Sequence, residues 1–365
     1  MVDIYKKYAL LLTNYCLKVA KGHKVFIRSS YLAEPLLQAL QIEILKNGGI
    51  PVFDISFADK AKIALDYSQK EQLEFIDANT IDGFTKFDAF LSIQAPFNLK
   101  ETKNADNEKR GIAANATKEI MKIYSTRSTD GSMRRNLCLF PTNASAQEAG
   151  MSLKEYEKFV YGACNLFEED PIAAWEKVGR DQQKYVDRLN KAKIVHYKGP
   201  NIDIQFSVEG RTWINSDGKS NMPSGEVFSA PVENSVNGKV KFTYPSIYMG
   251  NEVHDVELEV KNGEVIAWNA SQGKEFLDRI FQIPGAKFFG EVAVGTNYNI
   301  QQITKNILFD EKIGGTIHMA IGQSYPHCGG KNESTVHWDM ITDMKDDGEI
   351  LADGELIYKN GKFIL

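Results

Sequence analysis

The hydrophobic pattern of this chain changes period partway along, and that switch constrains the fold more than any other feature. Up to about residue 195, short apolar runs alternate with helical stretches. Beyond it, period-two segments follow one another, punctuated by the turn dipeptides Asn262-Gly263, Asp353-Gly354 and Asn360-Gly361. Strands separated by helices pair in parallel within a layered α/β domain, whereas strands joined by Asn-Gly or Asp-Gly turns form antiparallel hairpins. The pattern therefore predicts two domains: residues 1–195, an α/β N-terminal domain with a parallel sheet, and residues 196–365, a β-rich α+β C-terminal domain. A length of 365 residues agrees with two domains at roughly 150 residues each.

In the first part, Ile4, Tyr8, Leu11, Leu12, Tyr15 and Val19 fall at helical spacing. They are followed by strands predicted at Lys24–Arg28, Ile50–Ser56, Asp88–Gln94 and Asn136–Phe140. Helices are expected over Glu34–Lys46, ended by Gly48-Gly49, and over Thr117–Ser125, with a polar loop from Lys100 to Arg110. A further helix begins at Asp170-Pro171 and carries Trp175, Val178, Tyr185, Val186 and Leu189 on one face to about Lys193. One helical stretch, Lys274–Gln282, interrupts the β-rich part. No GxGxxG or GxxxxGK[ST] motif is present, so a nucleotide site is not expected.

A net charge of -5 gives no basic footprint for nucleic acid, and no apolar run approaches the ~18 residues of a membrane span. The first 24 residues lack a uniformly apolar segment ending in a small-residue cleavage site, and read as a helix of the mature fold. Four cysteines without a CxxC pair fit a reducing compartment, so a cytoplasmic protein is expected.

The chemistry is expected in the C-terminal half. In Ser334–Ile341, strand alternation puts His337 and Asp339 on one side and Val336, Trp338 and Met340 on the other. In Gly315–Gly322, Ile317, Met319 and Ile321 form the apolar face, and His318 shares the opposite face with Ala320 and Gly322, small neighbours that leave room for a ligand. Glu226 and Glu291 each sit in a GEV segment amid strongly apolar surroundings. Burying a carboxylate costs several kcal/mol unless a cation or hydrogen bonds compensate, which points to Glu291 above all as a metal ligand. Asp310 and Glu311 precede His318 by a short turn, and either cap that turn or join the site. The other histidines, His23, His196, His254 and His327, carry no such pattern.

Together Glu226, Glu291, Glu311, His318, His337 and Asp339 offer carboxylate and imidazole without thiolate, a donor set suited to Zn, Co or Mn. The surplus of acidic ligands suggests two divalent ions. A paired-metal site polarises a carbonyl and supplies hydroxide at neutral pH, so hydrolysis is expected.

In these segments the chain resembles the M29 family of metallo-aminopeptidases. The shared pattern comprises GEVFSAPVENSVNG from Gly225, GEVAVGTN from Gly290, LFDEKIGGTIHMAIGQSY from Leu308 and NESTVHWDMI from Asn332, with YALLLTNYCLKVAKGHKVFIR from Tyr8 as the family's opening helix and strand. The resemblance implies a homodimer of two-domain subunits, each with two divalent ions held by Glu226, Glu291, His318, His337 and Asp339. Glu311 matches the acidic residue of the family's DEN segment, which reads DEK here and stands two residues farther from the histidine than in some members. Some members have a second glutamate before the one matching Glu226, where this chain has Gly225. Tyr325 matches a tyrosine that assists catalysis.

The function expected is removal of the N-terminal residue from short peptides. Glu291 or Glu311 would manage the proton and Tyr325 would donate to the oxyanion. The alternatives are a dinuclear amidase or dipeptidase, or a non-catalytic metal- or peptide-binding protein.

Overall fold

The computed structural model describes residues 4–365, so Met1, Val2 and Asp3 of the expected first helix lie outside the described residues. The chain divides into two compact units. One runs through Ile172 and includes Gly218–Pro223; the other comprises Ala173–Asp217 and Ser224–Leu365.

The first unit is built on a five-stranded sheet in the order Ile50–Ser56, Lys24–Ser30, Ala89–Gln94, Arg134–Leu139 and Asn221–Met222. Every pairing in it is parallel, as helix-separated strands require. Phe26, Phe84, Phe90, Ile120 and Met133 form one apolar cluster of this unit. The opening helix is regular over Ile4–Leu10 and widens to a π-helical turn over Leu11–Cys16, burying Tyr8, Leu11, Leu12 and Tyr15.

Two local expectations change. Residues 100–110 are not all loop: the Asp106 carboxylate accepts from the backbone amides of Glu108 and Lys109 and starts a 23-residue helix, Asn107–Thr129. The division between units falls after Ile172, upstream of the expected position near 195. The helix Pro171–Leu189 lies almost wholly in the second unit, where Val186 and Leu189 join the β-rich core.

The second unit contains two larger antiparallel sheets. One has eight strands, in the order Glu264–Asn269, Glu257–Lys261, Asn237–Lys241, Ile202–Ser207, Ile194–Gly199, Glu349–Ala352, Glu355–Lys359 and Lys362–Phe363. The three turn dipeptides make hairpins within it. Both residues of each have positive φ, from +48° to +85°, the conformation that a tight right-twisted hairpin demands. The other sheet has five strands, in the order His337–Asp343, Thr316–Gly322, Phe289–Gly295, Glu226–Ser229 and Ile214–Ser216. One apolar core takes residues from both, among them Val227, Val292, Val294, Ile317, Met319, Ile321, Trp338 and Met340 from the five-stranded sheet and Ile204, Leu258 and Ile350 from the eight-stranded one. Among the described residues, no helix is long and apolar enough to cross a membrane.

Candidate metal centre

Alternation along the five-stranded sheet sends its apolar residues into the core and its polar ones to the opposite face. On that face, four neighbouring strands each contribute: His337 and Asp339, then His318, then Glu291, then Glu226. Glu291 and Asp339 both pair in register with Ala320, and His337 with Gly322. The strand Thr316–Gly322, lying between the other two, thus supplies a floor of minimal side chains over which the flanking ones converge. Glu226 follows Gly225, whose φ of +114° disfavours any side chain. An added Cβ there would lie 2.7 Å from Asn297 Cβ, so a second carboxylate is unsuited to this position.

The six expected residues come together. His318 Nε2 lies 3.4 Å from Glu226 Oε2 and 3.7 Å from Glu291 Oε1, while His337 Nε2 lies 3.2 Å from Glu291 Oε2 and 3.6 Å from Asp339 Oδ2. Three overlapping triads place one donor atom from each member within 4.8 Å of the others: Glu226–Glu291–His318, Glu291–His337–Asp339 and Glu311–His318–Asp339. Asp310 stays out of the cluster. Its Oδ1 accepts from the backbone amide and hydroxyl of Thr304, so it holds the preceding loop, and burial pushes its carboxyl up to about 7.

His337 Nδ1 lies 2.8 Å from the carbonyl oxygen of Gln323, which can only accept. The proton is therefore on Nδ1, and in the neutral ring Nε2 keeps its lone pair facing the cluster, the tautomer a metal ligand needs. The Tyr325 hydroxyl reaches the same Nε2 at 3.3 Å, and its ring lies against His337 and Phe228. Burial, reinforced by the Glu291 charge, raises its phenol well above the ordinary value, keeping it a neutral donor.

Burial and the attraction between carboxylates and imidazoles compete in the electrostatics. It pushes the Glu226 and Asp339 carboxyls up. Burial alone would raise Glu291 as well, but the imidazoles of His318 and His337 outweigh it and hold that carboxyl below the usual range. Burial also works against the charged imidazoles, yet Glu291 and Glu226 raise His318 to about 9, and Asp339 and Glu291 raise His337 to about 10.

Two residues of the centre escaped sequence reading. Lys312, fully buried, points its ammonium at Glu226 Oε1, 3.7 Å away, and at the Glu311 carboxylate. Its only trace in sequence is the charged run Asp310-Glu311-Lys312, which reads as surface. Gln182, also buried, donates through Nε2 to Asn215 Oδ1 and to the carbonyls of Ser216 and Glu226, tying the strand of Glu226 to the helix Pro171–Leu189. Its signal was present: position 182 falls on the apolar face of that helix, where an amide is out of place.

The donor set fits divalent cations. Glu226 Oε2 and Asp339 Oδ1 are buried carboxylate oxygens that accept no hydrogen bond, and His318 Nδ1 is likewise without a hydrogen-bond partner among the described residues. Buried carboxylate oxygens without a hydrogen bond, Glu226 Oε2 facing only His318 Nε2 at 3.4 Å, call for a cation.

Comparison with known proteins agrees with this chemistry. Residues 3–363 match the family model described as thermophilic metalloprotease (M29). Aminopeptidase 2 of Geobacillus stearothermophilus is 26% identical, covering 98% of this chain and 97% of its own. Aminopeptidase T of Thermus thermophilus is 26% identical over 98% and 95%, and aminopeptidase PepS of Streptococcus thermophilus is 32% identical over 62% of each chain. The solved structure of wild-type AmpT from Thermus thermophilus superposes with a TM-score of 0.84 over 99% of both chains at 24% identity, a likeness of fold. A parallel α/β unit, a β-rich unit bearing a carboxylate–imidazole cluster, and a family match spanning nearly every residue together place this chain in the M29 metalloprotease family.

Proposed function

We propose that the chain is a metal-dependent aminopeptidase that removes the N-terminal residue from short peptides, using two divalent ions of the Zn, Co or Mn class. The observation that carries this reading is the pair of donor triads sharing Glu291, whose two carboxylate oxygens face different histidines, Oε1 toward His318 and Oε2 toward His337. Glu226, Glu291 and His318 would hold one ion, Glu291, His337 and Asp339 the other, with Glu311 beside the first.

When bound, such ions would supply Lewis acidity to the scissile carbonyl and would lower the pKa of a water nucleophile. With Glu291 occupied as the shared ligand, the proton of that water falls to Glu311, which would return it to the leaving amine. Tyr325 would donate to the developing oxyanion from a neutral phenol held over His337. The substrate's free amine would be held by an acidic group or by an ion, which favours cleavage at the N-terminus. The names of the relatives support the same substrate class. The family resemblance supports a homodimer, and four buried cysteines without a CxxC pair support a cytoplasmic setting.

The test compares hydrolysis of leucyl-anilide with that of its N-acetylated analogue. The proposal requires the free amine, so only the first is cleaved; equal rates on both would favour a general amidase.

A further inference from the structure

We propose that Lys312 is a built-in cation of the centre that competes with one divalent ion, so that the two ions load unequally. The inference rests on the two-ion reading above and adds an order to it. The Glu291–His337–Asp339 side fills first, and the His318 side fills only as the ammonium is displaced.

The side chain of Lys312 is wholly buried, and its ion pairs are with Glu226 and Glu311. Those partners are distributed asymmetrically. Both triads that use His318 contain a carboxylate paired with Lys312, Glu226 in one and Glu311 in the other, whereas Glu291, His337 and Asp339 contain none. A buried ammonium survives only where anions replace its lost hydration, and a buried carboxylate pair equally needs a cation. Lys312 and an ion therefore offer the same compensation to the same two carboxylates.

Displacement by an ion falls to the side chain alone. The backbone of Lys312 is pinned at both ends, its amide donating to the Phe309 carbonyl and its own carbonyl accepting from the Asn297 amide. The four-carbon stem is therefore the part that must withdraw, with the main chain and Glu311 staying in place. Without an ion, Lys312 keeps Glu226 and Glu311 from repelling each other.

The experiment is a calorimetric titration of Zn2+ into the chelator-stripped full chain and its Lys312→Met and Lys312→Gln variants, each checked for folding by its thermal melt. In the unaltered chain the second ion should bind at least about tenfold more weakly than the first, and in the variants it should tighten by about tenfold or more. A second ion seen only in the variants also supports the inference. The ion-free variants should melt below the unaltered ion-free chain, with the gap closing when Zn2+ is added. Two equally tight steps in the unaltered chain, or a weak step that a folded variant leaves unchanged, overturn the role of Lys312 while leaving the two-ion reading intact. Should neither variant fold without metal, the isotherm of the unaltered chain decides by the same criterion. An absence of Zn2+ binding throughout overturns both.

Discussion

Glu291 and His337 stand on strands that are not neighbours, yet Oε2 and Nε2 are 3.2 Å apart. They meet across the strand Thr316–Gly322 because that strand presents only Ala320 and Gly322 opposite them. The centre thus depends on missing side-chain volume as much as on its ligands.

Replacing Ala320 by Leu should fill the floor between Glu291 and Asp339. Overpacking costs about 1–3 kcal/mol, which, borne by the ligands, weakens ion binding by about 5- to 150-fold. Equilibrium dialysis with Zn2+ would show the loss, and an unchanged affinity in a folded variant would remove the floor from the account.

Tyr325→Phe keeps the ring against His337 and Phe228 but deletes the donor. We expect kcat on leucyl-anilide to fall on the order of 100-fold, with KM and metal content little changed. Steady-state kinetics with elemental analysis decides; a change confined to KM would assign Tyr325 to substrate binding.

The histidines give the pH dependence its sign. In the ion-free protein His318 titrates at about 9 and His337 at about 10, against about 6.5 in an unfolded chain. Their contribution to ion-free stability is fully present below about pH 6.5 and is lost as pH rises through 9 to 10. Ion ligation requires the neutral rings, so binding at pH 7.5 should release protons, and affinity should rise with pH toward that range. Titration calorimetry in buffers of different ionisation heat measures the release; none at pH 7.5 would contradict it.

Gln182→Leu removes the donor to the Ser216 and Glu226 carbonyls while keeping an apolar-compatible shape. The Ser216 carbonyl keeps Ser224 Oγ as a donor, but the Glu226 carbonyl and Asn215 Oδ1 lose this donor and the Thr296 hydroxyl loses its acceptor, which should cost about 1–3 kcal/mol, seen as a lowered midpoint in urea unfolding. A variant of unaltered stability would mean that the helix does not anchor the strand of Glu226.

The site was legible wherever strand alternation applies. His318, His337 and Asp339 could be assigned to a face because Ile317, Met319, Ile321, Trp338 and Met340 mark the other side, and those five residues are buried in the core. Turn chemistry located the hairpins for a similarly local reason. What escaped is what lacks an apolar period. The helix Lys60–Tyr67 buries none of its residues, and Asn107–Thr129 buries only Ile120, so nothing but the middle of the latter stood out. Short helices at Lys70–Glu74, Ala78–Thr85 and Asn143–Glu148 offer too few turns to show a period, whereas Leu153–Ala163 does show one, burying Tyr156, Val160 and Ala163 behind a Ser152–Glu155 capping box, and is not among the expected helices. Lys312 is the extreme case, since its burial depends on Glu226 of a distant strand as well as on the adjacent Glu311, and the first of these relations is one that no local pattern encodes.

The central claim is that carboxylates and imidazoles on one face of a five-stranded sheet hold the ions on which hydrolysis depends. The direct measurement is elemental analysis of the purified chain combined with leucyl-anilide hydrolysis before chelation, after chelation and after add-back of Zn2+, Co2+ or Mn2+. The account predicts stoichiometric metal, loss of activity with its removal, and recovery on add-back. Undiminished hydrolysis by metal-free protein would contradict it.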